Sequence, residues 1–296
     1  MEQLIKLCEK FNCKYLQNEK MSLHTTFKIG GNARLVVYPQ NEEQISELVK
    51  CAKAENVRLI AVGNGSNLLV DDDGIDACVL ILGEPFSQIK LIDDETIYAK
   101  AGAKLIALCR FAYEHSLSGL EFAYGIPGSA GGAAFMNAGA YGGDVLYKCE
   151  HIDKNGDIGF LENDNLKLSY RHSAYYDNGA VITGLYLKLK KGEKSEIKEK
   201  MDDLIGRRRA KQPLEYPSAG STFKRPEGYF AGALIEQCNL KGKSVGGAQV
   251  SEKHAGFVIN KGGATCKDVL DLCKYCSDKV MEETGVKLEM EIRVTK

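Results

Sequence analysis

Two short glycine-rich segments have the composition of loops that bind phosphate groups. One joins two predicted strands and reads Gly63-Asn64-Gly65-Ser66-Asn67; the other precedes a predicted helix and reads Gly125-Ile126-Pro127-Gly128-Ser129-Ala130-Gly131-Gly132. Glycines and short polar residues allow consecutive backbone N–H groups to point at one anion, and the start of a helix adds favourable partial charge. Two such loops in one chain favour a nucleotide that contains a pyrophosphate.

Two common nucleotide signatures are absent from this sequence. Leu68 stands where a Rossmann loop needs its third small residue. Gly242-Lys243-Ser244 resembles the end of a P-loop, but Gln237 stands where that motif begins with glycine. The chain is therefore predicted to be neither a Rossmann dinucleotide-binding protein nor a P-loop kinase.

Other polar residues carry no catalytic signature by themselves. Arg171 follows Tyr170 in a polar segment, where an isolated arginine usually forms a surface ion pair. Ser221 lies in a Gly-flanked turn and lacks the Gly-x-Ser-x-Gly context of a hydrolase nucleophile. Cys273 and Cys276 have the spacing of metal ligands, but they fall on the apolar face of a predicted helix without a second pair. We therefore expect no metal.

The composition indicates a folded protein without a bulk polyanionic partner. The chain has 296 residues, of which 44% are hydrophobic, and 39 Lys and Arg against 40 Asp and Glu give a net charge of -1. The absence of a basic excess argues against nucleic-acid binding. The longest apolar run, Ala77 to Leu82, is far below the roughly 18 residues of a membrane span. A charged N-terminus and ten scattered cysteines favour reduced thiols in the cytoplasm.

Alternating strand and helix patterns must position these loops. The hydrophobic periodicity predicts strands at Arg34–Tyr38, Arg58–Val62, Leu68–Val70, Ala77–Leu82, Ile89–Ile92, Thr96–Lys100, Leu146–Asp153, Ala180–Leu189 and Leu288–Val294. It predicts helices capped by Asn41 and at Lys104–His115, Lys194–Arg209, Tyr229–Cys238 and Thr265–Glu282. The pattern is that of an α+β protein, and we expect three parts: 1–84, 85–210 and 211–287, with the strand 288–296 returning to the first part.

Taken in order, these segments resemble the UDP-N-acetylenolpyruvoylglucosamine reductases, and within that family the shorter subgroup. The resemblance rests on an ordered set of motifs: Thr25-Thr26-Phe27-Lys28-Ile29-Gly30-Gly31, Gly63-Asn64-Gly65-Ser66-Asn67, the loop from Ile126-Pro127-Gly128 to Asn137-Ala138-Gly139-Ala140-Tyr141-Gly142, Tyr170-Arg171-His172-Ser173, Gly220-Ser221-Thr222-Phe223-Lys224-Arg225-Pro226, and Leu288 through Arg293. The two glycine-rich loops alone are shared by many FAD oxidoreductases of the same fold. Their ordered combination with Arg171, Ser221 and Glu291 is specific to this family.

The resemblance implies a two-part FAD-binding module of the vanillyl-alcohol-oxidase (PCMH) type, followed by an α+β domain for the UDP-sugar. It implies tight, non-covalent FAD, NADPH as reductant, and the enolpyruvyl ether of UDP-N-acetylglucosamine as substrate in peptidoglycan precursor synthesis. The protein would be a cytoplasmic monomer. The implied FAD contacts are Gly63, Asn64, Gly65, Ser66, Asn67, Gly125, Ile126, Pro127, Gly128, Ser129, Gly131, Gly132, Asn137, Gly139, Ala140 and Tyr141.

The resemblance also implies the catalytic roles. Hydride from flavin N5 would leave an enolate that Arg171 and Glu291 stabilise, and Ser221 would supply the proton. Glu289 lies two residues from Glu291 on the same predicted face, and alignment favours Glu291. The implied substrate contacts are Tyr170, Lys211, Lys224 and Arg225.

The chain departs from the longer-loop members of the family at two points. The segment between Arg171 and Lys211 is too short for the loop that carries a substrate-covering tyrosine in those members. Arg225 stands where they have an asparagine. Two other functions stay open at this stage: an FAD oxidase of the same fold acting on another alcohol or lactone, and a non-enzymatic sugar-nucleotide binder.

Overall fold

The computed structural model describes residues 1–139 and 145–296. By their contacts they form two compact units, each assembled from separate stretches of the chain. Unit 1 comprises Met1–Gln17, Leu35–Asn64 and Ala77–Gly206, and unit 2 comprises Asn18–Arg34, Gly65–Asp76 and Arg207–Lys296. Each unit buries a hydrophobic core of its own.

The helices and strands are interspersed along the chain. The helices are α1 (Glu2–Lys10), α2 (Glu42–Ala54), α3 (Leu105–Glu114), α4 (Ala130–Phe135), α5 (Tyr175–Asn178), α6 (Lys194–Lys211), α7 (Ala231–Gln237) and α8 (Cys266–Thr284). The strands are β1 (Lys14–Lys20), β2 (Asn32–Tyr38), β3 (Leu59–Val62), β4 (Leu68–Val70), β5 (Ile75–Ile81), β6 (Ile89–Leu91), β7 (Thr96–Lys100), β8 (Leu117–Ser118), β9 (Leu146–Ile152), β10 (Ile158–Glu162), β11 (Val181–Lys188), β12 (Lys190–Lys191), β13 (Ser244–Val245), β14 (Ala248–Val250), β15 (Val258–Asn260) and β16 (Arg293–Thr295).

Two larger sheets contribute to unit 1. The first has the order β1-β2-β5-β3, in which β3 and β5 run parallel. The second has the order β10-β9-β11-β7-β6, and its neighbours are antiparallel. A short ladder pairs β12 with β8. One core contains apolar residues from both larger sheets and from α1, α2 and α3, so these elements form a single packed body.

The predicted helix after Asn41 is confirmed as α2. The Asn41 side chain accepts the N–H of Gln44 at 2.9 Å and caps the helix start. Ile45, Leu48 and Ala52 recur at helical spacing and are buried in the core of unit 1. Local capping and periodicity therefore specify this element together.

Unit 2 packs α7 and α8 against the antiparallel sheet β13-β14-β15. Helix α8 begins with a capping box between Thr265 and Asp268. The Asp72 carboxylate also accepts the N–H groups of Cys266 and Lys267, at 2.7 and 2.9 Å. A segment far upstream thus supplies the anion that stabilises the positive end of this helix.

Several elements differ from the sequence-based expectations. Helix α1 and strand β10 were not predicted. The strand predicted at Leu288–Val294 is shorter: β16 pairs in parallel with β4, and Met290 forms only an isolated bridge with Phe223. The three-part division remains a prediction. None of the helices in the described ranges is long and apolar enough to cross a membrane.

Candidate active site

The two glycine-rich loops contact each other within unit 1. A Cβ on Gly63 would lie 2.0 Å from Ser129 Oγ, so only glycine permits this approach. The Asn64 side-chain amide donates to the Pro127 carbonyl oxygen at 2.6 Å. Ser129 also caps α4 by accepting the Gly132 N–H. The two loops predicted to bind the cofactor therefore pack directly against each other.

Two backbone N–H groups at the start of α4 are used within unit 1. The N–H groups of Ala130 and Gly131 donate to the carbonyl oxygens of Ala103 and Ala101, at 2.8 and 2.7 Å. These two bonds dock α4 against the residues after β7, and the assignment of the segment 125–132 to the cofactor remains a prediction. By contrast, the N–H groups of Gly63 and Asn64 have no acceptor among the described residues.

Arg171 lies at the tip of a tight turn in unit 1. Ser169 and His172 exchange two backbone hydrogen bonds, of 3.1 and 3.2 Å, which leaves Tyr170 and Arg171 as the turn residues. Arg171 has φ +56°, a left-handed conformation that costs a non-glycine residue roughly 1–2 kcal/mol. Its guanidinium lies over the Tyr170 ring and donates to the Gly139 carbonyl oxygen at 3.0 Å.

Side chains after the turn fix it to the body of unit 1. The fully buried Ser173 hydroxyl donates to the Phe135 carbonyl oxygen at 2.8 Å. His172 stacks on Tyr176 and lies 3.2 Å from the Asp177 carboxylate. An unusual left-handed arginine is thus kept in place by its neighbours, which is typical of a functional position.

A buried pair behind this turn was not identified from the sequence. His151 Nδ1 lies 3.0 Å from the Tyr175 hydroxyl, and both side chains are buried. Burial lowers the pKa of His151 below its usual 6.5. Tyr175 follows the arginine motif directly, but an isolated histidine in a predicted strand gave no signal that the two would meet.

Ser221 and Glu291 are brought onto neighbouring backbone segments of unit 2. The Glu291 N–H donates to the Thr222 carbonyl oxygen at 2.8 Å, and the Lys224 N–H donates to the Glu289 carbonyl oxygen at 2.8 Å. Ser221 is exposed beside Gly220, which has φ +78°, and Glu291 is half-buried. A hydroxyl and a carboxyl group are therefore available on adjacent segments.

Thr222 fixes the position of Ser221 in this arrangement. Its N–H donates to the Gly256 carbonyl oxygen at 2.9 Å, and its hydroxyl accepts the Val258 N–H at 2.8 Å. Thr222 is 1% exposed. The sequence pointed only to the serine, because a buried threonine cannot be told from a surface one without its partners.

The two candidate carboxylates, Glu289 and Glu291, have different surroundings. Glu289 is exposed and lies 3.5 Å from the Lys224 ammonium group. Glu291 is less exposed, and the side-chain amide of Asn67 donates to its carbonyl oxygen at 3.3 Å. The backbone carbonyl oxygen of Asn67 accepts the Arg293 N–H at 2.9 Å. Within unit 2, Asn67, which was predicted to bind the cofactor, therefore contacts the backbone of Glu291, the candidate catalytic residue.

The remaining predicted residues are placed as follows. Gly65 has φ +59° and packs against His24, where a Cβ would lie 2.1 Å from a backbone oxygen. Lys211 is exposed at the end of α6, and the Arg225 guanidinium lies 4.0 Å from the centre of the Phe230 ring. Ala140 and Tyr141 lie outside the described residues. Among the residues that the structure describes, no group of His, Cys, Asp or Glu could hold a metal ion.

Family models match two parts of the chain. A model described as "FAD binding domain" matches residues 33–155. A model described as "UDP-N-acetylenolpyruvoylglucosamine reductase, C-terminal domain" matches residues 212–295. At the level of fold alone, BBE-like 1 of Physcomitrella patens is similar, with a TM-score of 0.50 and 16% identity, over 64% of this chain and 44% of that chain. The fold class is therefore confirmed as α+β with an FAD-binding domain, which is the architecture of a flavoprotein.

Full-length relatives narrow this class to one family. The UDP-N-acetylenolpyruvoylglucosamine reductase of Latilactobacillus sakei subsp. sakei is 48% identical over 280 residues, which is 94% of this chain and 92% of the relative. The crystal structure of the Thermus caldophilus enzyme of the same name has a TM-score of 0.82 and 34% identity, over 96% of this chain and 99% of that one. The chain belongs to the UDP-N-acetylenolpyruvoylglucosamine reductase family.

Proposed function

We propose that this protein catalyses the NADPH-dependent reduction of the enolpyruvyl ether of UDP-N-acetylglucosamine to UDP-N-acetylmuramate, in the cytoplasm and as a monomer. The product is a precursor of peptidoglycan. The observation that carries the proposal is the backbone pairing of Thr222 with Glu291, which places a hydroxyl and a carboxyl on adjacent segments in a chain that also has an FAD-binding domain.

The loop at Gly63 fits a cofactor with a pyrophosphate. Gly63 and Asn64 present N–H groups without a protein acceptor among the described residues, and the loop conformation is fixed by Ser129 and Pro127. Backbone N–H groups that are held in place in this way bind phosphate oxygens. When bound, FAD supplies the hydride-transfer chemistry that amino-acid side chains lack.

Three side chains have the chemistry that reduction of an enol ether requires. Addition of hydride leaves negative charge shared with the substrate carboxylate, and the Arg171 guanidinium, which is always protonated, stabilises this charge. The Glu291 carboxyl, in its protonated form, donates a hydrogen bond to the enolate. The Ser221 hydroxyl donates the proton that completes the reduction.

The substrate contacts follow from charge and position. Lys211, Lys224 and Arg225 are exposed cations of unit 2 and suit the diphosphate and carboxylate groups of a sugar nucleotide. The exposed Tyr170 ring beside Arg171 suits a flat or apolar substrate group. The Lys224 ion pair with Glu289 further supports Glu291 as the carboxyl that acts on the substrate.

The experiment is a pair of anaerobic half-reactions with the purified, FAD-loaded protein. NADPH should bleach the flavin absorbance, and the enolpyruvyl sugar nucleotide should restore it with formation of UDP-N-acetylmuramate. UDP-N-acetylglucosamine, which lacks the enol ether, is the matched control and should leave the flavin reduced. If the enolpyruvyl compound left the flavin reduced and air admitted afterwards reoxidised it rapidly, the result would instead favour the oxidase.

A further inference from the structure

Asn137 ends helix α4 in a left-handed conformation. Its φ is +42°, its N–H donates to the Ala134 carbonyl oxygen at 3.2 Å, and the next N–H, of Ala138, donates to the Ala133 carbonyl oxygen at 2.8 Å. This pair of bonds is the Schellman arrangement, in which the residue after the helix is left-handed and is most often Gly or Asn. The backbone alone therefore explains a small or Asn residue here, but not a particular side chain.

The side chain of Asn137 makes a hydrogen bond that glycine could not make. Its amide donates to the Ser169 carbonyl oxygen at 2.8 Å, and Ser169 is the first residue of the turn that carries Arg171. Two residues further along, the Gly139 carbonyl oxygen accepts the Arg171 guanidinium at 3.0 Å. The segment 137–139 thus contacts the arginine turn through both its backbone and its side chain.

We propose that Asn137 is a positioning residue that holds the Arg171 turn against the flavin-binding segment, rather than a ligand of FAD. This inference rests on the proposed role of Arg171. Arg171 is itself left-handed, so its conformation needs support from outside the turn. The two backbone bonds between Ser169 and His172 close the turn, and the Asn137 amide fixes where the closed turn sits.

The chain contains a matched control in α2. Asn56 ends that helix with the same pair of bonds: its N–H donates to the Lys53 carbonyl oxygen and the Val57 N–H donates to the Ala52 carbonyl oxygen. Asn56 has φ +50°, is exposed, and its side chain makes no hydrogen bond among the described residues. Asn56→Gly and Asn137→Gly therefore make the same backbone change, and only Asn137→Gly removes a side-chain bond.

The test compares both variants in the full chain. In the FAD-free protein, Asn137→Gly should speed hydrogen exchange of the Ser169 and His172 amides, while the melting temperature stays within a few degrees of wild type. In the FAD-loaded protein, it should slow flavin reoxidation by the enolpyruvyl sugar nucleotide roughly tenfold, the factor that corresponds to one lost hydrogen bond. Reduction by NADPH and the FAD dissociation constant should change less than about threefold, and Asn56→Gly should change none of these.

A double variant shows whether Asn137 acts through Arg171. In an Arg171→Ala background, Asn137→Gly should produce no further loss in the second half-reaction. Additive losses, unchanged exchange at Ser169 and His172, or weaker FAD binding with both half-reactions slowed would each overturn the proposal. If wild type itself ignored the enolpyruvyl compound, the proposed function would fail, and the exchange measurement would still decide whether Asn137 positions the turn.

Discussion

The carbonyl oxygen of Thr222 accepts the backbone N–H of Glu291 at 2.8 Å. This bond joins the residue after Ser221 to the backbone of Glu291, the residue that carries the candidate catalytic carboxylate, although the two positions are far apart in the sequence. Because Thr222 is also anchored to Gly256 and Val258, the pair is fixed to the core of unit 2 rather than to a surface loop. Such support is what a preorganised proton donor needs.

Thr222 offers a direct test of this support. Thr222→Val leaves the buried Val258 N–H without an acceptor, which should lower the free energy of unfolding by about 1–3 kcal/mol in a urea titration. Thr222→Ser keeps the hydroxyl and should lose less, since only a methyl group is removed. Equal losses for Val and Ser would show that packing, not the hydrogen bond, fixes this residue.

Ser221→Ala should separate the two half-reactions. Loss of a positioned proton donor typically slows a reaction about 10²–10⁴-fold, so reoxidation by the enolpyruvyl sugar nucleotide should fall in that range. Reduction by NADPH needs no proton from Ser221 and should change little. Stopped-flow absorbance of the flavin measures both steps, and a comparable loss in both would contradict the proposed role.

Arg171→Gly and Arg171→Ala should both remove activity but differ in stability. Both variants lose the guanidinium and its bond to the Gly139 carbonyl oxygen, and this loss should slow the second half-reaction about 10²–10³-fold. Only glycine adopts φ +56° without strain, so the free energy of unfolding of Arg171→Gly should exceed that of Arg171→Ala by about 1 kcal/mol in a urea titration. A glycine variant no more stable than the alanine variant would show that the left-handed conformation carries no strain.

Gly63→Ala should disrupt the contact between the two glycine-rich loops. The new Cβ would lie 2.0 Å from Ser129 Oγ and 2.9 Å from its Cβ, so the loops must separate and FAD should bind more weakly. Ser129→Ala in the same chain removes only the first clash and should restore binding in part. The control is Gly206→Ala in α6, where nothing lies within 4 Å; it should stabilise the protein by roughly 0.5–1 kcal/mol. Fluorescence titration of apoprotein with FAD measures the binding.

The protein should lose stability as the pH falls below about 6.5. Burial lowers the pKa values of His151 and His254 in the folded state, so the unfolded chain binds protons more readily. Their contribution is fully present above the unfolded pKa and is lost as the pH falls towards the folded pKa. Urea unfolding at pH 7 and pH 5.5 should show this loss, and His151→Asn should reduce it. An unchanged pH dependence in that variant would assign the effect to other groups.

The sequence predicted elements that depend on local signals and missed those that depend on distant partners. Asn41 with its apolar stripe was sufficient for α2, and the apolar stripe of Thr265–Glu282 was sufficient for α8. Strand β10 was missed because the side chains of Ile158 and Phe160 are exposed at a sheet edge, against the usual burial of such residues.

The same contrast holds for the candidate site. The glycines and the Arg171, Ser221 and Glu291 set were selected by motif, and these roles remain predictions. Asn137 and Asn67 were assigned to the cofactor. The sequence did not indicate that their side-chain amides donate to the carbonyl oxygens of Ser169 and Glu291. An asparagine in a loop has many available acceptors, and only the fold selects one.

The discontinuous composition of unit 2 has a consequence for its synthesis. Asn67 and Glu291 are separated by 224 positions, and β4 finds its partner β16 only at the far end of the chain. During synthesis on the ribosome, Leu69 therefore cannot be covered by its partner strand until Arg293–Thr295 have emerged. Contacts that span such sequence distances form slowly, so the nascent chain exposes an apolar segment long after it leaves the exit tunnel.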